Sequence, residues 1–226
     1  MKPSLLRRTV AEFVGTLLLL AAVVGSGIMA EKLAAGNVAM ALLANTLATG
    51  AALVALILAF GSISGAHLNP AVTLADAWQG GIAWNETPAY IAGQLAGAFA
   101  GVATAHLMFG LKLFTASTHV RTGPAQIFSE FVATFGLLSV IWGCARHRPT
   151  GVPFAVGAYI TAAYWFTAST SFANPAVTLA RSASNTFAGI RSADTAGFVI
   201  AQLAGAFAAT LFFRWLTPSV RAVNPD

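Results

Sequence analysis

The chain is poor in charge. Its 226 residues include 12 Lys or Arg and 7 Asp or Glu, so that 8% of the residues are charged while 57% are hydrophobic. A soluble domain carries about 25% charged residues. This chain therefore lacks the polar groups to cover a water-facing surface, which excludes a soluble globular enzyme. No polar stretch reaches the length of about 50 residues that a separate domain needs, and we interpret residues 1–226 as a single membrane domain.

The chain is also poor in cysteine. Cys144 is the single cysteine, which excludes an intramolecular disulfide. His106 and His119 have no second ligand at the spacing that metal sites use, so we expect neither a metal nor another cofactor. The net charge of +5 does not indicate a nucleic-acid partner, because the Lys and Arg residues flank apolar runs and form no basic stripe.

Apolar runs are what the sequence has in abundance. A helix needs about 20 apolar residues to cross the hydrocarbon core of a bilayer, and six runs approach that length, the fifth being short. They lie near residues 9–30, 38–60, 88–109, 126–145, 152–168 and 195–216. Two further apolar stretches, near 66–78 and 171–184, have about half the length of a span, and each contains a proline.

Three blocks of sequence occur twice and in the same order. Asn-Pro-Ala-Val-Thr-Leu-Ala begins at Asn69 and at Asn174, and Gln-Leu-Ala-Gly-Ala-Phe-Ala begins at Gln94 and at Gln202. Upstream of both, Ala-Glu-Phe-Val at 11–14 matches Ser-Glu-Phe-Val at 129–132. The chain is therefore predicted to consist of two copies of one unit, near 9–109 and 126–216. Each copy has an odd number of spans, so the second is inverted in the membrane, and the site of such folds lies between the halves.

Each short stretch contains the start of a helix. Asn69 and Asn174 are favoured N-caps, and proline follows at the first helical position. Irregular chain at membrane depth has to be packed in protein or line a cavity, and the inversion brings one half-helix in from each face. Their N-termini are predicted to meet at a point that is hostile to cations and open to neutral molecules that form hydrogen bonds. A turn with a cap would explain one copy, whereas two copies in inverted halves favour a pore.

These features resemble the major intrinsic protein family of aquaporins and aquaglyceroporins. The resemblance rests on the paired Asn-Pro-Ala, on Ala-Glu-Phe-Val-Gly-Thr at 11–16 and on Ser-Gly-Ala-His-Leu-Asn-Pro-Ala-Val-Thr at 64–73. It implies an all-α membrane protein with six transmembrane helices and two re-entrant half-helices around a pore, four copies forming a homotetramer, and no enzyme activity. The pore motif residues are then Asn69, Pro70, Ala71, Asn174, Pro175 and Ala176.

Glu12 and Glu130 occupy matching places in the first and fourth spans. An ionisable group inside the membrane is costly and needs a partner, and free backbone N–H groups of the neighbouring loops are suitable donors. The resemblance implies the same loop-supporting function, with His67 in a structural place beside the pore. The alternative is a proton-relay carboxylate, which the lack of further intramembrane acids disfavours.

The resemblance also implies an outer constriction built from one residue of the second span, one of the fifth and two of the second pore loop. Counted from the Asn-Pro-Ala motifs, these places fall on Thr49, Ala162, Ser171 and Val177. The family usually has arginine directly after its second Asn-Pro-Ala, so valine here removes five donors and a permanent charge. The sequence predicts a wide filter that admits solutes larger than water.

Arg181 follows Val177 by one helical turn and has two interpretations. It caps the outer end of its half-helix at a membrane face, as Asp76 would in the first half, or it partly replaces the missing guanidinium. The first interpretation is favoured from the sequence.

The sequence thus predicts a passive channel for water and small neutral solutes. Bacterial aquaglyceroporin-like channels associated with arsenic resistance resemble it in their relaxed filter. Arsenous acid or methylated arsenicals therefore stand beside glycerol and urea as predicted cargo. The alternative is a gradient-coupled secondary transporter, because inverted repeats and broken spans occur there too.

We expect a multi-pass protein of the inner cell membrane, and the positive-inside rule favours cytoplasmic termini. Segments on the side of the termini carry seven Lys or Arg, and segments on the other side carry five. The seven are Lys2, Arg7, Arg8, Arg146, Arg148, Arg214 and Arg221, and the five are Lys32, Lys112, Arg121, Arg181 and Arg191.

Overall fold

The computed structural model describes residues 3–217, so Lys2 and Arg221 lie outside the described residues. Those residues form helices joined by loops and turns, without a β-strand in that range. The helices are α1 Leu5–Leu33, α2 Val38–Ser64, α3 Pro70–Gln79, α4 Thr87–Met108, α5 Pro124–His147, α6 Val152–Phe166, α7 Pro175–Arg181 and α8 Ser192–Leu216.

Five of the helices described in residues 3–217 are long and apolar enough to cross a bilayer, namely α1, α2, α4, α5 and α8. The fifth predicted span, near 152–168, is α6, which has 15 residues and so a length of about 22 Å at 1.5 Å per residue. A 3₁₀ turn at Pro149–Gly151 precedes it, and it packs against α2 and α5. The predicted all-α membrane fold is confirmed, with one span much shorter than the others.

The two short apolar stretches form α3 and α7. Both helices begin at the proline of Asn-Pro-Ala, with Asn69 and Asn174 as their N-caps. The first helix has 10 residues and ends at Gly80, whose φ of 84° is a left-handed C-cap that favours glycine. The second has 7 residues, fewer than the sequence led us to expect, and ends at Arg181. Each short helix packs against both α4 and α8, and the two short helices also contact each other.

Polar contacts define the two ends of the bundle. At the end where the chain begins, Arg8 forms an ion pair with Glu86 at 2.5 Å. At the other end, the Thr115 N–H donates to the Ala183 carbonyl oxygen at 2.9 Å. We call these ends the terminal face and the loop face.

Glycines let the helices approach each other closely. The most extensive helix contacts are those of α1 with α4, followed by α1 with α2 and α5 with α8. A Cβ at Gly97 would overlap the Phe13 carbonyl group, and a Cβ at Gly205 would overlap that of Phe131. Backbones can come this near only where small residues line the interface. Gln94 in α4 and Gln202 in α8 are thereby held next to the helices that carry Glu12 and Glu130.

Gly97→Ala is expected to lower the free energy of unfolding by about 1–3 kcal/mol, the usual cost of overpacking an interior. The added methyl group meets backbone atoms of α1, which cannot move aside as a flexible side chain would. The thermal unfolding midpoint in detergent measures the effect.

Gly61→Ala is the matched control, because Gly61 also lies inside a spanning helix and has no atom within 4 Å of the added methyl group. Equal midpoints for the two variants would contradict the close α1–α4 contact.

Candidate functional site

A single cavity of about 310 Å³ is lined by residues of both pore loops and both short helices. Asn69 and Asn174 both reach it. The opposite side is lined by apolar side chains of the long helices and α6. Among them are Leu19, Val23, Leu53, Ile57, Leu137, Ile141, Val156 and Ile160. The cavity thus has a polar strip along the loops and an apolar wall facing it.

The two asparagines join the helix starts at the centre of the bundle. Each Oδ1 caps its own helix, accepting from the Ala71 N–H at 2.9 Å and from the Ala176 N–H at 3.0 Å. Each amide also donates to the opposite loop, from Asn69 Nδ2 to the Ala173 oxygen and from Asn174 Nδ2 to the Leu68 oxygen, both at 2.8 Å. An amide nitrogen has two N–H groups, so one on each asparagine is left to face the cavity.

The loops that lead into the short helices hold an unusual backbone. Ala66 and Leu68 in the first loop have φ of 48°, and Ser171 and Ala173 in the second have φ of 49°. These are left-handed conformations of residues other than glycine, which cost about 1–3 kcal/mol each unless the surroundings enforce them. The matching positions, one and three residues before each asparagine, indicate the same backbone path in both loops.

Glu12 and Glu130 are fully buried and accept hydrogen bonds from these loops. Glu12 accepts from the N–H groups of His67 at 3.0 Å and Leu68 at 2.6 Å. Glu130 accepts from Phe172 and Ala173, each at 2.9 Å. Charge-assisted bonds of this kind are the strong ones in a protein interior, and they enforce the strained loops.

Two glutamine–threonine pairs complete the support, and sequence reasoning missed this function. Gln94 Nε2 donates to Glu12 and to Thr73 Oγ1, both at 2.8 Å. Gln202 Nε2 donates to Glu130 at 2.5 Å and to the Thr178 hydroxyl at 2.8 Å. Both pairs were visible in the repeated blocks, where the threonine stands four residues after each asparagine and the glutamine begins the repeated block that follows.

The residues two before and seven after each asparagine contact each other in both halves. In the first half, His67 Nε2 lies 3.6 Å from an Asp76 carboxylate oxygen, and His67 Nδ1 lies 3.1 Å from Thr73 Oγ1. In the second half, the Arg181 guanidinium carbon lies 3.4 Å from the centre of the Phe172 ring. All four of these loop and helix-end residues line the cavity. The side chain of Arg181 therefore points inward, and the interpretation of it as a cap at the membrane face is wrong.

Of the four predicted constriction residues, Thr49, Ser171 and Val177 are buried and line the cavity. Ala162 is exposed on the outside of α6, so its predicted place is corrected. The face of α6 that lines the cavity carries Val156, Ile160 and Tyr164.

This correction follows from helix geometry. Residues four apart share a face of a helix, and a residue two positions away lies on the opposite side. Tyr164 is therefore the α6 residue beside Thr49, and its hydroxyl donates to Thr49 Oγ1 at 3.3 Å. The sequence signal was the spacing of four between Val156, Ile160 and Tyr164.

Arg121 is a further residue that sequence reasoning had only counted among the cations on the side opposite the termini. It lies in the loop between α4 and α5, and its Nε donates to the Gly189 carbonyl oxygen at 2.8 Å. Its guanidinium lies 5.1 Å from the centre of the Phe172 ring. Burial lowers the pKa of Arg121, although an arginine keeps its proton in proteins. This side chain ties together three segments at the loop face.

Long apolar helices surrounding two short helices that meet head to head over a cavity define a membrane channel. A sequence profile described as Major intrinsic protein matches residues 1–153. Aquaglyceroporin AqpS of Rhizobium meliloti (strain 1021) is 57% identical over 226 residues, which cover 98% of this chain and 97% of the relative. The chain belongs to the major intrinsic protein family, and the resemblance seen in its sequence is confirmed.

More distant proteins agree with this assignment. Aquaporin NIP1-4 of rice is 37% identical over 62% of this chain and 50% of its own length. The X-ray structure of the aquaglyceroporin from Plasmodium falciparum superposes with a TM-score of 0.69 over 96% of this chain and 98% of that one, at 23% identity, and shares the fold. The chain is a passive membrane channel for water or small solutes and not an enzyme.

Glu130→Gln is expected to lower both stability and solute flux. One acceptor oxygen becomes an NH₂ group beside the N–H groups of Phe172 and Ala173, and a buried donor left without an acceptor costs about 1–3 kcal/mol. The thermal midpoint in detergent and glycerol permeability in proteoliposomes at several imposed pH gradients measure the effect.

Glu31→Gln is the control, because that glutamate is exposed at the end of α1. A variant of Glu130 with unchanged stability that loses only the gradient-dependent part of its flux would favour the proton relay.

Proposed function

We propose that this protein passes water and small neutral solutes of the size of glycerol or urea through a wide filter that lacks arginine at position 177. The observation that carries the proposal is the cavity in which free amide N–H groups of Asn69 and Asn174 face an apolar wall. The aquaglyceroporin name of the relative with 57% identity supports the same class of cargo.

The shape of the cavity suits solutes with hydroxyl or amide groups along one edge and C–H groups along the other. The polar edge of the solute exchanges its hydrogen bonds to water for hydrogen bonds to the asparagine amides. The apolar edge of the solute gives up no hydrogen bonds when it contacts the leucine and isoleucine side chains. Two helix starts and two amide donors face the same point, so a cation would lose its hydration without gaining acceptors. A neutral solute is thus favoured over an ion.

Arsenous acid and methylated arsenicals are included in this proposal. Arsenous acid is neutral near pH 7 and carries three hydroxyl groups, so it meets the same requirements as a polyol. Thr49, Ser171 and Val177, which line the cavity, have small side chains, and the α6 residue beside Thr49 is the larger Tyr164. The three small side chains support room for arsenous acid. A permeability comparison between glycerol, urea and arsenous acid decides which cargo the channel favours.

We assign the pore motif and the supporting residues as the sequence predicted. Asn69, Pro70 and Ala71 begin the first half-helix, and the same motif at 174–176 begins the second. Glu12 and Glu130 hold the loops, with His67 beside the pore. The equivalent hydrogen bonds of the two glutamates support two inverted repeats, near 9–109 and 126–216.

We further propose a homotetramer in the inner cell membrane with cytoplasmic termini. The distribution of Arg and Lys supports this orientation, because two of the five loop-face cations, Arg121 and Arg181, are turned inward. The bundle also exposes large apolar side chains to lipid or to neighbouring copies, among them Leu47, Leu58, Phe154, Trp165, Ile200 and Trp215.

The direct test is stopped-flow light scattering of proteoliposomes challenged with glycerol or urea. The wild-type protein should raise permeability without any proton or sodium gradient. Asn174→Asp should reduce it by about tenfold or more, because the new carboxylate cannot donate to the Leu68 oxygen and places a negative charge at the central junction.

Asn185→Asp is the control, since Asn185 is exposed at the loop face and only accepts hydrogen bonds through its Oδ1. Uptake that requires a gradient would instead indicate the secondary transporter, and full flux through Asn174→Asp would contradict a pore at the half-helix junction.

Val177→Arg is expected to reduce glycerol and arsenous acid permeability by about tenfold while water permeability changes less. A long cationic side chain would fill the space beside Ser171, and a water molecule needs less of that space. Paired light-scattering and arsenic-uptake measurements on the same proteoliposomes test this.

Val177→Leu is the control that distinguishes the effect of side-chain size from the effect of charge in Val177→Arg, because it enlarges the side chain without adding a charge or hydrogen-bond donors. Unchanged solute selectivity in Val177→Arg would remove this position from the constriction.

A further inference from the structure

Arg181 is a buried cation that faces the cavity. Arg181 is 2% exposed and lines the cavity at the end of α7. Its Nε donates to the Ala188 carbonyl oxygen, which fixes the plane of the guanidinium. Among the ion pairs of residues 3–217, none includes Arg181.

The rest of the guanidinium is supported on one side only. Phe172 packs against it at 3.4 Å, and an aromatic face attracts a cation. Within the described part of the chain, the two Nη atoms of Arg181 have no hydrogen-bond partner, and neither is among the atoms sealed away from the surface. A buried charge without a paired anion is costly. The N–H groups on the two Nη atoms are therefore expected to donate hydrogen bonds to a molecule that enters the cavity.

Ser171 provides a second, independent sign of a ligand. It is 2% exposed and lines the same cavity, yet its hydroxyl has no partner in the described residues. Its left-handed backbone holds it three residues before Asn174. A buried hydroxyl is normally satisfied. Ser171 Oγ is itself sealed from the surface, so it reaches a solute by rotating toward the cavity that its residue lines.

We propose that Arg181 is the filter cation of this channel, acting from one helical turn beyond position 177. It forms, together with the Ser171 hydroxyl, a hydrogen-bonding site for the oxygen atoms of passing neutral solutes. The four residues from Val177 to Arg181 rise about 6 Å along α7, so the guanidinium stands nearer the loop face than an arginine at 177 would. The inference rests on the proposed channel function and names the residue that gives it charge selectivity.

The arrangement separates two properties that one arginine at 177 would combine. Val177 leaves the narrow part of the pore wide, while Arg181 keeps a positive charge at its entrance. Arg121 lies against the same Phe172 ring and adds a second cation behind it. Cations are repelled at this entrance, and neutral solutes gain donors there before they reach the asparagines.

The matching position in the other half carries the opposite charge. Asp76 stands seven residues after Asn69, as Arg181 stands seven after Asn174, and both line the cavity. An anion attracted by Arg181 would therefore meet a carboxylate at the terminal face. The two ends together favour molecules without net charge.

The test is a charge-rescue experiment in proteoliposomes, in a Cys144→Ser background that removes the natural thiol. Arg181→Cys is expected to raise methylammonium permeability by about tenfold, as removal of a charge from a low-dielectric constriction would. It should also lower glycerol flux, because the solute loses the guanidinium donors, so the quantity to compare is the ratio of methylammonium to glycerol permeability. Aminoethyl methanethiosulfonate, which attaches an ammonium group to the thiol, should restore exclusion of methylammonium. The anionic sulfonatoethyl reagent should not restore it.

Arg191→Cys is the matched control, because Arg191 is exposed at the loop face and pairs with Asp194 outside the cavity. It should exclude methylammonium with or without either reagent. The double variant Val177→Arg, Arg181→Leu places the cation back at 177 and should also exclude methylammonium, while passing less glycerol.

Three outcomes are informative. Methylammonium exclusion that survives Arg181→Cys, or that responds equally to both reagents, overturns the assignment of Arg181. Should Arg181→Cys fail to fold, the double variant and Arg181→Lys decide instead, since exclusion must follow the positive charge. A wild-type protein without passive glycerol flux would overturn the proposed channel itself, and that result is read before any variant is measured.

Discussion

The structure depends on how backbone N–H groups are satisfied at membrane depth. Neither lipid nor bulk water is available there to hydrogen-bond the irregular chain that precedes each short helix. Glu12 and Glu130 meet this need with buried carboxylates, each accepting from two consecutive N–H groups of a loop. Once the loops are held, Asn69 can donate to the Ala173 carbonyl oxygen and Asn174 to that of Leu68, each across to the opposite loop. The cavity is a consequence of that anchoring.

The two halves share their scaffold and differ in what lines the cavity. Glutamate, glutamine, threonine and asparagine repeat at equivalent places and make equivalent hydrogen bonds. The residue two positions before each asparagine is His67 in the first half and Phe172 in the second. It contacts the residue seven positions after the same asparagine, which is Asp76 in the first half and Arg181 in the second. Positions that hold the backbone are thus duplicated, whereas these cavity-lining positions differ between the halves.

Much of the fold could be predicted from the sequence because it follows from length and repetition. Runs of spanning length and the doubled Asn-Pro-Ala motif predict the long helices and the starts of α3 and α7. Ala162 was placed at the constriction by counting back from the second Asn-Pro-Ala motif, and the spacing of four that puts Tyr164 on the cavity side of α6 was not used. The second loop, at 167–173, is also longer than the first, at 65–68, so counting along the chain does not transfer between halves.

Charged residues near a membrane edge are equally hard to place from sequence. Arg121 and Arg181 have the same spacing from apolar runs as ordinary interfacial anchors, and only their carbonyl partners and the Phe172 ring show that they turn inward. The supporting glutamines were visible as repeats, but repetition alone does not distinguish a hydrogen-bonding function from common ancestry of the two halves.

The shortness of α6 has a consequence for how such a channel can change over time. With only 15 residues in that helix, the entrance at the loop face is built from loop segments that carry Ser171, Phe172 and the Ala188 carbonyl. Substitutions there leave the glycine-lined contacts between the long helices undisturbed. The helix contacts that hold the bundle and the segments that border the cavity at the loop face therefore lie in separate parts of the molecule, and one part can change while the other is preserved.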